Sequence, residues 1–261
     1  MEKLTNLVDL LRHRTLSQPD QVAYTFLADD NENLQLTYAD LDRRARAVAA
    51  RLQRLGLARE RALLVYQPGL EYIVAFFGCL YAGVIAVPIY APHRARFERS
   101  SLRLRNITED ARPLVVLTTT TLVEPAETTF AANAGARPLH WLATNQENEA
   151  WADEWQMPSL NGESLAFIQY TSGSTAAPKG VMLTHSNLLH NLKLMDEQFK
   201  LTAMTPGVIW LPPYHDMGLI GGILEALYAG CPVVLMSPVA FLQRPLRWLE
   251  AITSYRAVIS G

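Results

Sequence analysis

The chain has 261 residues, of which 49% are hydrophobic and 18% charged, with a formal net charge of −2. That composition supplies a sizeable core and excludes a disordered chain. The near-neutral balance offers no electrostatic footprint for nucleic acid or an anionic membrane, so neither is expected as a partner. Cys79 and Cys231 lie in apolar stretches. Two cysteines are too few for a structural zinc site or a disulfide framework, and they read as small core residues of a reducing, cytoplasmic setting. The opening MEKLTNLVDLLRHR carries charges throughout and lacks a secretory apolar region.

Thr37 with Asp40 three residues on has the form of a capping box. Leu41, Ala45, Val48, Leu52 and Leu55 follow at helical spacing, and Gly56 closes the element. Arg43, Arg44, Arg46, Arg51 and Arg54 are expected to form the solvated face of this helix rather than a phosphate patch. Arg61 to Tyr66 reads as a short buried strand. From Tyr72 to Pro92 no residue is charged, which is long enough to span a bilayer. Gly78, Gly83 and Pro88 interrupt the run, so it divides better into a buried helix, Leu70 to Ala82, and a strand, Val84 to Tyr90, with Gly83 between them. The same grammar recurs: Leu219 to Tyr228 is apolar, Ala229-Gly230 follows, and Cys231 to Met236 reads as a strand. The shared Tyr-Ala-Gly marks two buried α/β units.

Between these units, Arg94 to Asp110 reads as a more polar helix and Pro113 to Thr119 as a strand. Strands alternating with helices imply parallel sheets covered by helices on both faces. The pattern dissolves from Thr120 to Asn161, a stretch with Trp141, Trp151 and Trp155. It reads as a variable connection between a first α/β subdomain, 1–119, and a second, 162–261; a looser continuation of the first is the alternative. Order returns with the strand Leu165 to Thr171. Thr184 or Ser186 caps a helix reaching about Phe199. Val208 to Leu211 is a strand running into Pro212-Pro213. Pro245 sits at the first turn of a helix to Ser254, and Ala257 to Ile259 begins a last strand.

The segment Tyr170 to Gly180, YTSGSTAAPKG, carries the most chemical information. Four of the five residues from Thr171 to Thr175 bear hydroxyls, with Gly173 among them. Glycine lets the backbone approach a ligand closely. Hydroxyls and successive N–H groups make a concave nest for phosphate oxygens. Lys179 adds a long cationic arm, and Gly180 lets the chain re-enter regular structure. The order of Pro178, Lys179 and Gly180 excludes a Walker loop, which needs Gly-Lys-Ser/Thr.

The segment resembles the phosphate-binding signature of the adenylate-forming superfamily, which comprises acyl-CoA synthetases, luciferases and peptide-synthetase adenylation domains. WLPPYHDMGL, Trp210 to Leu219, resembles the next motif of that superfamily. AVPIYAP, Ala86 to Pro92, and MSPVAFLQRPLRWLEAI, Met236 to Ile252, look most like its fatty acyl-AMP ligase branch. The resemblance runs from Leu7 to Gly261 and thins between Thr120 and Asn161. It implies part of the N-terminal domain of the adenylate-forming fold. It also implies a reaction in which a fatty carboxylate attacks the α-phosphorus of ATP, giving acyl-AMP and pyrophosphate, with transfer to an acyl-carrier protein; transfer to CoA is the alternative acceptor.

Under that resemblance Thr171, Ser172, Gly173, Ser174, Thr175, Lys179 and Gly180 hold the ATP phosphates, and Lys179, His215 and Thr175 act in catalysis. His215, Asp216, Met217, Gly218 and Ile223 contact substrate. Structural capping and a metal role remain open for His215-Asp216, with His185 and His190 as the nearby histidines. The apolar stripe Met217, Leu219, Ile220, Ile223 and Leu224, with Gly218, Gly221 and Gly222, is either core packing or the lining of an acyl tunnel. ATP comes with Mg²⁺, whose expected glutamate lies beyond Gly261, as do the adenine- and ribose-binding segments and the C-terminal lysine. The chain is therefore expected to be an N-terminal piece, inactive by itself; a free-standing nucleotide- or acyl-binding module is the alternative.

Overall fold

A computed structural model describes residues 4–28, 33–90, 97–131, 139–171 and 178–261. The expectations for Ser172, Gly173, Ser174 and Thr175, and for Ala91 and Pro92, lie outside the described residues. In chain order the elements are α1 (Leu7–Ser17), β1 (Val22–Leu27), β2 (Asn33–Thr37), α2 (Tyr38–Arg54), β3 (Arg61–Tyr66), α3 (Leu70–Ala82), β4 (Ile85–Tyr90), α4 (Phe97–Ala111), β5 (Val115–Thr118), α5 (Thr120–Ala131) and β6 (His140–Ala143). After a 3₁₀ turn, Glu149–Glu154, come β7 (Leu165–Thr171), β8 (Lys179–Thr184), α6 (His185–Phe199) and β9 (Gly207–Ile209). A π-helical segment, Met217–Leu224, leads into α7 (Glu225–Ala229), β10 (Val233–Met236), α8 (Pro238–Gln243), α9 (Leu246–Tyr255) and β11 (Ile259–Ser260).

Two sheets organise these elements. One has the order β11-β9-β10-β1-β2, the other β6-β5-β3-β4-β7-β8. Neighbours are parallel except for β1–β2 and β7–β8, which are antiparallel. The parallel, helix-covered α/β architecture read from the alternation of elements is therefore present. Chain order does not partition the sheets, however. β1 and β2 pair with β10, while β7 and β8 join the sheet built by residues 61–143. Each sheet draws strands from both sides of the 120–161 stretch. Backbone hydrogen bonding between distant strands, which no local pattern encodes, makes that exchange.

The stretch 120–161 is also more ordered than a variable connection. It contributes α5, the edge strand β6 and the 3₁₀ turn. Pro125 inside α5 and a Thr/Ala/Glu composition obscure its helical period. Its tryptophans anchor it to the rest. Trp155 Nε1 donates to the Tyr81 carbonyl at 2.7 Å, Arg54 lies over the Trp151 ring, and Trp141 meets Phe130 edge-to-face.

Three apolar clusters give the layer order. The largest lies between the sheets and includes α1, α3, the inner face of α2 and the π-helical segment. A second joins Leu63, Val65, Val87 and Val116 to α4 and α5. The third joins Val208, Val234 and Met236 to α9. The layers thus run helix, sheet, helix, sheet, helix. Placement in the central layer explains the uncharged run through α3. Every residue of this helix except Glu71 is buried, because a helix covered on all sides carries no polar face. Gly83 and Gly230 end the two repeated units at φ +67° and +76°, the left-handed conformation glycine adopts without strain.

The capping box at Thr37 and Asp40 is present. The basic face of α2 differs from expectation. Arg46 and Arg12 both pair with the buried Asp42, at 2.9 and 3.0 Å. Arg44 pairs with Glu71 at 2.7 Å, Arg51 with Glu147, Arg54 with Glu154, and Arg43 with Glu149 at 3.0 Å. Most of these carboxylates come from the 147–154 segment, so the face is a contact surface for that segment. Both cysteines are buried and free. Burial pushes the Cys79 thiol well above its ordinary value and the Cys231 thiol to about 11.

Candidate functional site

Strand β7 delivers the hydroxyl-rich segment. Its antiparallel partner β8 brings the chain back, and the ladder closes with Tyr170 opposite Gly180 and Thr171 opposite Lys179. Thr171 and Lys179, eight positions apart in sequence, are therefore neighbours at the mouth of the hairpin, and both are exposed. β8 was not anticipated: Lys179 and Gly180 read as the end of the loop and residues 181–183 carried no expectation, because an edge strand exposing Val181 and Met182 shows no buried face. Gly180 has a packing reason beyond flexibility. A Cβ there would meet Ile168 Cγ2 at 2.9 Å and the Tyr170 ring at 3.0 Å. Tyr170 in turn bonds Asp110 at 2.5 Å, which ties the strand to α4.

His215 and Asp216 lie in the turn that follows β9. The His215 N–H donates to the Pro212 carbonyl at 3.0 Å, and the His215 carbonyl receives the Leu219 N–H at 2.8 Å. Asp216 caps the π-helical segment by accepting the Met217 N–H at 2.7 Å. His215 Nδ1 stands 2.5 Å from Asp216 Oδ1, and both side chains are more than half exposed. His215 Nδ1 also accepts the Met217 N–H at 3.4 Å, so the other ring nitrogen is the one left for a substrate contact. Structural capping and an exposed imidazole thus coexist in one turn. The metal reading finds no support in neighbouring side chains. His185 is buried on α6, where its Nδ1 accepts the Leu7 N–H at 3.2 Å. Among the described residues no three His, Cys, Asp or Glu side chains group to hold a metal ion.

The two motifs belong to different sheets, and two side chains unnoticed in the sequence join them. Gln169 on β7 donates from Nε2 to the Tyr214 carbonyl at 3.0 Å. Tyr90, at the end of β4, meets the Tyr214 ring edge-to-face with centroids 5.1 Å apart. The β4–β7 ladder is short, with Ala86 opposite Phe167, and Pro88 has no N–H to extend it. Two positions further on, Tyr90 ends the strand and reaches the turn. Burial, then the neighbouring Tyr90, pushes the Tyr214 hydroxyl up to about 12, so it stays neutral. The arrangement lies at the carboxyl ends of parallel strands from both sheets, where open α/β sheets bind ligands.

Gly218, Met217 and Ile223 follow along the π-helical segment. A Cβ on Gly218 would come within 2.6 Å of the Pro212 carbonyl carbon and 3.0 Å of the Leu211 oxygen. Glycine is what lets the segment turn back against the double proline. Met217 is 63% exposed beside His215, whereas Ile223 is buried. Gly218, Ile223, Pro213 and Ile209 line a narrow apolar cavity together with Ile73 and Phe26. A second cavity beyond Ile209 is lined by Gly221, Gly222, Met195 and Glu225. The apolar stripe divides accordingly: Leu219 and Leu224 are core, while Ile223 and the glycines border the cavities. π-Helical turns, rare in general, are frequent at functional sites.

With this geometry in place the comparisons are specific. The sequence profile of the AMP-binding enzymes matches residues 11–260. A medium-chain fatty acid–acyl-carrier-protein ligase of Moorena producens is 41% identical over 99% of this chain and 44% of its own length. A 4-hydroxyphenylalkanoate adenylyltransferase of Mycobacterium tuberculosis is 36% identical over 98% of this chain and 43% of its own. The crystal structure of a fatty acid AMP ligase from Legionella pneumophila superposes with a TM-score of 0.92 at 42% identity, covering 99% of this chain and 44% of that one. The chain thus spans less than half the length of these relatives.

Proposed function

Because the chain belongs to the AMP-binding enzymes, in their fatty acyl-AMP ligase branch, we propose that it supplies the phosphate-gripping and acyl-facing half of a ligase that activates a fatty acid as acyl-AMP. The observation that carries this reading is the Gln169–Tyr214 hydrogen bond. It fastens the turn that carries His215, in one sheet, to the strand of the other sheet that leads into the hydroxyl-rich segment.

The reaction brings together a carboxylate and a polyphosphate, both anions. The task of the protein is to neutralise charge and hold an in-line approach, which is positioning and electrostatics. Lys179, exposed opposite Thr171 at the hairpin mouth, supplies the mobile positive charge for the departing pyrophosphate. Thr171 adds a hydroxyl donor beside it, and Ser172, Gly173, Ser174 and Thr175 complete the grip. His215, steered by Asp216, presents Nε2 to the substrate carboxylate, with Met217, Gly218 and Ile223 guiding the chain behind it. Enzymes of this family use ATP with magnesium. Among the described residues no three His, Cys, Asp or Glu side chains group to hold the ion.

An acyl-carrier protein is the proposed acceptor, in keeping with the name of the Moorena relative, and CoA is the competing one. The test is fatty-acid-dependent ATP–pyrophosphate exchange by the complete ligase that carries this chain. Lys179→Ala is expected to reduce exchange by roughly 10²–10³-fold, the usual loss for one well-placed donor. Near-normal exchange by that variant refutes the assignment.

A further inference from the structure

Glu225 is the first residue of α7 and is 2% exposed. Both of its carboxyl oxygens are buried without a hydrogen-bond partner among the described residues. Its side chain borders the second cavity, whose other walls are apolar or glycine: Met195, Phe199, Gly221, Gly222 and Val233. Native proteins rarely leave a buried carboxyl unsatisfied, and one aimed into a cavity has its hydrogen bonds available for an occupant. No cation pairs with it among the described residues. The titratable neighbours are Asp196 on α6, Tyr228 on α7, and Cys231 at the start of the next strand. Burial, and then Asp196, push its carboxyl up to about 7. The protonated form, which offers one donor and one acceptor, is thereby brought within reach near neutrality.

The position of this group matters more than its burial. The two cavities lie along the same π-helical segment and share Ile209 as a wall. Pro213 and Gly218, two and three positions from His215 in the chain, line one, and Glu225 lines the other. Ten positions separate His215 from Glu225, most of them in the wider and shorter π-helical turns, so at the α-helical rise of about 1.5 Å per residue the two lie at most roughly 15 Å apart along the segment. An extended chain advances roughly 3.5 Å per three bonds, so that separation corresponds to about a dozen bonds.

Resting on the acyl-adenylation reading above, we infer that Glu225 recognises the far end of the acyl substrate and that the preferred acids carry a hydroxyl on the distal part of the chain. A hydroxyl there both donates to and accepts from the carboxyl. A plain alkyl end leaves the buried carboxyl as it now stands, without a hydrogen-bond partner among the described residues. Sites built to hydrogen-bond a substrate hydroxyl discriminate strongly against analogues lacking it, whereas purely apolar pockets discriminate weakly.

The test compares ω-hydroxy acids with the plain acids of equal length, over chain lengths around a dozen carbons, as kcat/KM for pyrophosphate exchange in the complete ligase. Wild type is expected to favour the hydroxy acid by about tenfold or more at its best length. Glu225→Gln, which keeps a donor and an acceptor, retains a preference above one. Glu225→Leu reverses it, gaining on the plain acid. The same leucine variant raises the Tm of the substrate-free protein, because it removes an unsatisfied buried carboxyl. A wild-type ratio at or below one at every length overturns the inference, and so does a marked fall in Tm for Glu225→Leu, which would expose a structural partner for the carboxyl. Failure of every acid, hydroxylated or plain, to support exchange sinks the adenylation reading itself, a distinguishable result.

Discussion

The Tyr24 hydroxyl donates to the Ile223 carbonyl across 3.0 Å, both residues buried. Strand β1 thereby holds a turn of the π-helical segment from 199 positions away in the chain. Widening a helix to i→i+5 pairing disturbs the usual carbonyl partners, and Glu225 N–H reaches back to Ile220 here in that pattern. The tyrosine is one of the fixed points that hold the widened turn beside both cavities.

Tyr24→Phe removes that donor and nothing else of the ring. The expected cost is about 1 kcal/mol, read as a lower midpoint at unchanged slope in urea denaturation. An unchanged midpoint means the Ile223 carbonyl is satisfied without the tyrosine.

Two glycines of the same segment are expected to behave oppositely. A methyl on Gly218 meets the backbone of Leu211 and Pro212, which cannot step aside as a side chain would. A methyl on Gly221 meets Met195 Cε at 3.8 Å, ordinary contact with the end of a flexible side chain. Gly218→Ala should therefore lower Tm clearly and displace the His215 turn. Gly221→Ala should hold or slightly raise Tm, since alanine is favoured over glycine in a helix by about 1 kcal/mol. Thermal melts of the pair check this; equal behaviour contradicts the packing argument.

His185 makes stability depend on pH. Burial lowers its pKa to about 4, against an ordinary value of 6.5. Its Nδ1 must stay unprotonated to accept the Leu7 N–H. A depressed folded-state value means the native protein resists a proton that the unfolded chain accepts. The contribution is full above pH ~6.5 and is lost as pH falls toward ~4, amounting to about 3 kcal/mol across that window. Denaturation midpoints between those limits should fall less steeply for His185→Gln than for wild type. Parallel profiles remove His185 as the cause.

Much of the architecture is legible because its signals are local. The Thr37–Asp40 capping box, the helix of residues 70–82 and both Tyr-Ala-Gly endings are set by side chains acting on backbone a few positions away. Elements without such signals escape notice. α1 and the β1–β2 hairpin carry no expectation, and α5 conceals its period behind Pro125. The basic face of α2 misleads because partner choice depends on where the 147–154 segment returns. The candidate site divides the same way. Lys179, His215 and Asp216 stand out by residue order, whereas Gln169 reads as an ordinary strand residue and Glu225 as a charge in an apolar run.

By itself the sequence determined the alternation of strands and helices, the uncharged central helix and the two motifs, because spacing, capping and glycine punctuation act within one or two turns of chain. Only the tertiary structure decided that β1 and β2 belong with β10, that Gln169 fastens one motif to the other, and that Glu225 stands at a cavity wall with no partner among the described residues. Those outcomes depend on contacts between residues tens to hundreds of positions apart. Their energy is settled by the burial and pairing of whole layers, and no local run of residues carries a record of it.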